Sequence, residues 1–310
     1  MRKFKENILK VLLYLSAVIT VGILIFVLGF IFIKGYKLIN FNYLFSEYKP
    51  SGGGGIKPFI ISTLYTVALS LAIATPIGVL AAVYLQEYAK QGKMVKIIRY
   101  STEALAGIPS IVYGLFGAAF FVAALNFGYS LIAGSLTLSI IILPVIIRTT
   151  EEALKVVPPS YREASLGLGA TKFQTLYKVI LPSAIPGILS GVILSMGRVI
   201  GESAALFLTA GTVYKIPKSI MSSGRTLTVH AFLETKEKGD ISSAAAAGIV
   251  LIVMILILNL VAKLISKKLN KADYWLDISR LILYNFKRCK HVKYNNTWNS
   301  GEKFRFILWR

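Results

Sequence analysis

Residues 104–147 read ALAGIPSIVYGLFGAAFFVAALNFGYSLIAGSLTLSIIILPVII, 44 positions without one Asp, Glu, Lys or Arg. A helix rising about 1.5 Å per residue crosses the roughly 30 Å hydrocarbon layer in about 20 residues, so this run is long enough for two crossings. The polar break Asn126, Phe127, Gly128, Tyr129 parts them. Working outward, charge-free runs at 58–86 and 11–33 on one side, and at 179–197 and 241–262 on the other, each supply one more. A helix satisfies its own backbone hydrogen bonds inside lipid. The expected fold is therefore an all-α membrane protein with six transmembrane helices. Residues 11–33 follow a basic start and no small-residue cleavage pattern comes after them, so they read as a retained anchor.

The composition agrees. Of 310 residues 55% are hydrophobic and only 16% charged, with a mean hydropathy of +0.66, outside the range of soluble domains. One cysteine, Cys289, and two histidines, His230 and His291, are too few for a disulfide framework or a Cys/His metal cluster, so no metal site is expected. A nucleotide-binding phosphate loop is also missing. The one Gly-Lys pair, Gly92 and Lys93, is followed by Met94 and has Glu87 where the first glycine belongs. The chain is not expected to be an enzyme or to hold a cofactor of its own.

The net charge of +21 is distributed by topology. With the N-terminus inside, the cytoplasmic segments 1–10, 87–103, 148–178 and 263–310 carry 25 Lys and Arg, and the opposite face carries 10. Positive residues are retained on the cytoplasmic side, which puts both termini there and leaves anionic membrane lipid, not nucleic acid, as the partner of the excess charge. The organisation is then a cytoplasmic N-terminus at 1–10, an anchor helix at 11–33, an external loop at 34–57, a core at 58–270 and a basic cytoplasmic tail at 271–310. Ser51 to Gly55 reads as a flexible external link, since a phosphate cradle lacks the strand-helix context it needs.

Within the core, residues 148–178 are longer than a bundle connection requires. Pro158 and Pro159 stop the fourth helix, and Ser160 with Glu163 three residues on forms a capping-box pattern for a new short helix. Gly167 and Gly169 end it, and an amphipathic stretch at 171–180 leads to Leu181 and Pro182, where the fifth span starts. Glu163, Ala164, Ser165, Gly169, Val179, Ile180, Leu181 and Pro182 resemble the E-A-A-x3-G-x9-I-x-L-P signature of ABC transporter permease subunits, with Ser165 and Val179 as mild departures. PIGVLAAVY at 76–84, Glu87-Tyr88-Ala89, LAGIPSIVYGLFG at 105–117 and GRVIGESAALFLTAG at 197–211 narrow this to the PstA-type phosphate permeases, over about residues 52–268.

That resemblance implies a type I ABC importer permease fold with a cytoplasmic coupling helix, in the bacterial cytoplasmic (inner) membrane as a multi-pass chain. Glu163, Ala164, Gly169, Leu181 and Pro182 are then the ATPase-coupling residues. The implied partners are a second phosphate permease subunit of the PstC kind, an ATP-binding dimer of the PstB kind that binds ATP and Mg, and an external phosphate-binding protein of the PstS kind.

Only Arg198 and Glu202 interrupt residues 179–214 with charge, and a charge central to a span costs about 2.5–3.5 kcal/mol on insertion scales. On a helix, Gly187, Gly191, Ser195, Arg198, Glu202 and Ala205 share one face, and Gly187 with Gly191 lets another helix approach closely. Two readings follow. One is an i,i+4 ion pair that neutralises itself; the other is an anion site, with the Arg fork donating to phosphate oxygens and Glu202 orienting it. The resemblance associates this Arg and Glu with phosphate passage and adds the hydroxyls of Ser203 and Thr209. Prolines 76, 109, 144, 182 and 186 read as kinks, and Ile108, Pro109 and Ser110 are lining residues by resemblance.

After Lys271, Tyr274, Trp275, Ile278, Ile282 and Phe286 recur at near-helical spacing, as in an interfacial helix, and 287–310 read as a basic tail. A genuine extension and a reading-frame change both account for it. The expectation as a whole is the permease subunit of an ATP-driven phosphate importer. The alternatives are a gradient-driven secondary transporter or channel, and an ABC permease for another oxyanion such as sulfate or molybdate.

Overall fold

A computed structural model of the chain describes residues 2–50 and 54–271. The tail beyond Lys271, and Ser51, Gly52 and Gly53 of the external link, lie outside them. Among the described residues every regular element is helical. Five helices are long and apolar enough to cross a membrane: Leu9–Leu38, Lys57–Tyr88, Leu131–Val156, Lys172–Gly201 and Ile241–Ser266. A bent pair, Lys93–Ala106 with Ser110–Ala124, brings the number to six when it is counted as one broken span.

In chain order, α1 (Arg2–Gly35) is exposed on nearly every side. It touches the bundle at Gly35, where a Cβ would lie 2.6 Å from the backbone of Ala245 and Ala246. The short α2 (Phe41–Phe45) is capped by Asn40, whose side chain accepts from the Tyr43 amide at 2.7 Å. Gly55 does more than link: a Cβ there would meet Ser46 O at 2.5 Å and Tyr43 O at 2.7 Å, so the chain is folded tightly on itself before the second span. That span, α3 (Lys57–Val83), ends in a π turn at Tyr84–Tyr88.

The third span differs from expectation. Residues 93–106 already form a helix, α4 (Lys93–Ala106), and the chain bends by 97° at Gly107-Ile108-Pro109 into α5 (Ser110–Gly117), continued by a π stretch at Ala118–Ala124. Proline lacks the N–H that would carry α4 onward and drives Ile108 out of the helical region. Tyr113 Oη donates to Leu105 O at 2.8 Å and holds the bend. Positive φ at Asn126 (54°) and Gly128 (61°) then turns the chain into α6 (Leu131–Val156), capped by Ser130.

Helix α6 is the centre of the bundle. It packs on α3 through Gly78 against Ile146, and Ser139 Oγ donates to Ser70 O at 3.1 Å. The loop helices α7 (Pro159–Gly167) and α8 (Lys172–Thr175) precede a π turn at Leu176–Ile180 and α9 (Leu181–Gly201). Short α10 (Ala204–Thr209) and α11 (Leu227–Glu237) lie between α9 and the last helix, α12 (Ile241–Lys271). The main core joins Val67, Leu138, Ile142, Met196, Ile200, Leu206 and Val229; a second, at the loop end, joins Val83, Leu154, Val157, Leu176, Ile180 and Ile188. Burial of each such side chain contributes on the order of 1.5–3 kcal/mol where the reference is water.

Candidate functional site

The loop between α6 and α9 is built by local rules, though not all of those expected. Val157 leaves the helix in an extended conformation ahead of Pro158 and Pro159. Pro159 takes the first position of α7, so Ser160 lies inside the helix and no side chain caps it. The capping box sits further on: Thr171 accepts from the Gln174 amide, and the Gln174 side chain accepts from the Thr171 amide at 2.9 Å. Helix α7 ends as expected, at Gly169. Its φ is +85°, with Gly169 N donating to Leu166 O at 2.9 Å and Ala170 N to Ser165 O at 3.2 Å, the paired bonds of a Schellman motif.

Helix α7 has no fully buried residue. Glu163, Ala164 and Gly169 are exposed, as are Leu166, Leu168, Phe173 and Tyr177, the last two with stacked rings 6.4 Å apart. An apolar surface with a free carboxylate thus stands at the tip of the loop. Leu181 and Pro182 are half-buried at its root, where Leu181 packs on the second core. The helix does not restart there: it runs unbroken from Lys172 to Gly201, because the π turn before Leu181 accommodates the proline.

The loop is tied to the bundle by polar contacts that spacing could not reveal. Arg162 Nη2 lies 2.6 Å from Glu87 Oε1, across 75 positions of sequence. Ser165 Oγ and Thr175 Oγ1 are 2.9 Å apart. Beside them Arg99 Nε donates to Glu151 Oε1 at 3.2 Å and its Nη1 to Gln91 at 3.3 Å.

The charge pair expected at 198 and 202 is not an ion pair. Gly201 is the last residue of α9, and Glu202 leaves the helix with a ψ of 129°, so the two charges no longer share one helical face. The Glu202 carboxylate turns forward and accepts from the Ala205 amide at 3.2 Å, in the first turn of α10. Arg198 stays in the last turn of α9, where the helix dipole favours a cation, half-buried and without a carboxylate partner among the described residues. It lies within Coulombic reach of the Tyr113 hydroxyl on α5. Ser203 is half-buried at the joint, next to Glu202. Thr209 is elsewhere: it is fully buried and its hydroxyl donates to Ala205 O at 2.7 Å. The structure therefore gathers Arg198, Glu202 and Ser203 at the break between α9 and α10 and leaves Thr209 in the core.

Near the same joint, where Thr228 Oγ1 of α11 donates to Ile200 O at 2.5 Å, lies a cluster that the sequence did not announce. Glu234, buried, accepts from Tyr48 Oη and from Lys238 Nζ, each at 2.9 Å, and the Arg225 guanidinium stands over the Tyr48 and Phe59 rings at 6.0 and 5.6 Å. His230 stacks on Phe59 with 4.1 Å between centroids. Burial, first, and the neighbouring Arg225 and Lys238 charges push its pKa down to about 3, so the ring is neutral and its 3.6 Å approach to Glu234 is not a salt bridge. A cavity of about 160 Å³ opens beside them, lined by Tyr48, Tyr214, Arg225, Glu234 and Lys238 among others. Among the described residues no group of His, Cys, Asp and Glu side chains is arranged to hold a metal ion.

The fold class is a bundle of membrane-spanning helices with an exposed, apolar-tipped loop between α6 and α9. The chain belongs to the family described as binding-protein-dependent transport system inner membrane component, which matches residues 74–271, and is thus a multi-pass permease subunit of an ABC importer. It is 34% identical over 288 residues to the "Probable ABC transporter permease protein YqgI" of Bacillus subtilis (strain 168), covering 87% of this chain and 98% of that one. It is 37% identical over 211 residues to the "Phosphate transport system permease protein PstA" of Pasteurella multocida (strain Pm70), covering 67% of this chain and 75% of that one. Among solved structures, a bacterial ABC transporter involved in the import of the acidic polysaccharide alginate superposes with a TM-score of 0.62 at 16% identity, covering 87% of this chain and all of that one. Its fold is the type I importer permease fold.

Proposed function

We propose that this chain forms half of the translocation pathway of an ATP-driven importer of inorganic phosphate. The observation that carries the reading is Arg198: a half-buried guanidinium in a membrane helix, without a carboxylate partner among the described residues, at the joint of two broken helices. An unpaired cation in a span is costly and asks for an anion. The planar fork suits phosphate oxygens, and discontinuous helices are where transporters place such sites. Glu202, fixed on the Ala205 amide, accepts a hydrogen bond from the P–O–H group of a monohydrogen phosphate and keeps the anion from being held permanently. Ser203 offers a hydroxyl to the same anion. The name of the Pasteurella relative agrees with phosphate as the cargo.

In this reading the exposed tip of the loop, with Glu163, Ala164, Leu166 and Leu168, docks into a PstB-like ATPase dimer that holds ATP and Mg. A PstC-like permease supplies the other half of the pathway, and a PstS-like protein delivers phosphate outside. Closure of the ATPase pair moves α7, the spans open outward, and phosphate passes from the binding protein to Arg198. Both termini face the cytoplasm.

The test is ³²P-phosphate uptake by proteoliposomes holding the full complex and the binding protein, with ATP inside. Wild-type uptake is expected to need ATP and to ignore excess sulfate. Arg198→Ala is expected to lower it by a hundredfold or more, the effect of about 3 kcal/mol for a lost charge-assisted contact, with the ATPase still bound. Uptake by Arg198→Ala at the wild-type rate would remove the site, and competition by sulfate or molybdate would reassign the cargo.

A further inference from the structure

We infer that the Arg162–Glu87 pair is a clamp that carries displacement of the loop helix α7 directly into the second span, α3. The inference rests on the reading that α7 docks an ATPase. The chain connects α7 only to α6 and, through α8, to α9; α3 has no covalent link to the loop. No residue of α7 is fully buried and its two half-buried ones, Arg162 and Ser165, are polar, so apolar packing does not hold it to the bundle. What holds it is polar, and Arg162 is the centre of it. Its Nη2 and Nε meet both Glu87 oxygens, at 2.6 and 3.4 Å, while Nη1 donates to Val157 O and Nη2 to Leu154 O, each at 3.3 Å. One guanidinium thus joins α7, the last carbonyls of α6 and the end of α3.

The geometry suits transmission. Both side chains are largely buried, at 25% and 15% exposure, so salt and water weaken the pair little. A two-point fork resists rotation as well as separation, which a lysine would not. Glu87 makes no other side-chain contact of this kind among the described residues. It stands in the π turn Tyr84–Tyr88, closed by Ala89 N donating to Tyr84 O at 2.8 Å, and the extra residue of such a turn aims its side chain away from the helical register. Val83, just before it, is seated in the second core, so a pull on Glu87 acts on the packed body of α3. Arg162 and Glu87 are positioning residues in this scheme; neither touches the cargo.

The experiment uses the full complex in proteoliposomes, with Glu87→Gln and Arg162→Lys, and reads phosphate taken up per ATP hydrolysed. It adds the distance between spin labels at Ser160→Cys and Tyr84→Cys, both exposed, in a Cys289→Ser background. For both variants the ATPase is expected to co-purify at the wild-type level and to keep hydrolysing ATP, while uptake per ATP falls roughly 3- to 30-fold. The label distance is expected to stay constant between nucleotide-free and ATP-bound wild type and to change in Glu87→Gln. Unchanged uptake per ATP, or a label distance that stays constant in Glu87→Gln, overturns the clamp. So does loss of the ATPase from the variants, because the pair would then only shape the docking loop. A wild-type complex without ATP-driven phosphate uptake would overturn the proposed function instead, and the label distances would still decide the clamp.

Discussion

At Gly169 the backbone alone sets the cost of change. Its φ of +85° closes the Schellman motif that ends α7, and a Cβ there would meet nothing within 4 Å. Gly169→Ala therefore costs only the left-handed conformation, about 1–2 kcal/mol, and Gly169→Asn less. Co-purification of the ATPase is expected to weaken in that order, and equal losses for Ala and Asn would show that the docking face needs the bare surface. His230 acts through its charge state. A histidine held neutral with its pKa at about 3 binds fewer protons than the same residue in the unfolded chain. Between about pH 6.5 and 3 the unfolded state takes up the extra proton, so stability falls as pH falls through that window. His230→Phe keeps a ring against Phe59 and is expected to flatten the melting temperature of the detergent-purified protein from pH 7 to pH 4.5. An unchanged slope would place that acid sensitivity on other groups.

The helices sort by what their glycines meet. Gly187 and Gly191 repeat at the same spacing as Gly197 and Gly201, yet only the first pair receives α6: a Cβ at Gly187 would lie 2.5 Å from Ala153 Cβ, and one at Gly191 would run into Thr149. Gly197 and Gly201 meet nothing within 4 Å. Gly191→Ala is thus expected to destabilise the chain by about 1–3 kcal/mol through overpacking, and Gly197→Ala to leave its melting temperature unchanged. Thermal melts of the two variants decide it, since equal effects would mean that the spacing and not the neighbour matters. The same contrast explains what was legible beforehand. Spans, the loop and the end of α7 follow from local composition, charge and glycine, and these were visible in residues 104–147, 148–178 and 169. Pro109 was legible as a kink, but the 97° size of the bend, the π turns and the exit of Glu202 from α9 rest on local hydrogen bonds, such as Tyr113 to Leu105 O and the Ala205 amide to Glu202, which no periodicity announces. Arg198 and Glu202 stood out as the two charges in an apolar run, whereas the lack of a carboxylate partner for Arg198 among the described residues emerged only when Glu202 turned forward. Arg162 and Glu87 are 75 positions apart and had no signal of pairing at all.

For the whole molecule, orientation decides whether the loop and the nucleotide meet. The orientation proposed from the 25 Lys and Arg of segments 1–10, 87–103, 148–178 and 263–310, against 10 on the other face, has α7 in the cytoplasm and the Tyr48, Arg225, Glu234 cluster outside. Membrane insertion retains the positive loops against the potential, so the bias acts during folding and no later contact needs to correct it. Single cysteines in a Cys289→Ser background report the result: Thr235→Cys, exposed on α11, is expected to react with a membrane-impermeant maleimide in intact cells. Ser160→Cys, exposed on α7, is expected to react only after the membrane is opened. The reverse pattern would set Glu163 and the apolar tip of the loop on the side without ATP. The exposed Leu166, Leu168 and Phe173 would then have to be covered by an external protein, and α7 could not be driven by nucleotide. Labelling of Ser160→Cys therefore tests the energetic coupling of the transporter as directly as it tests topology.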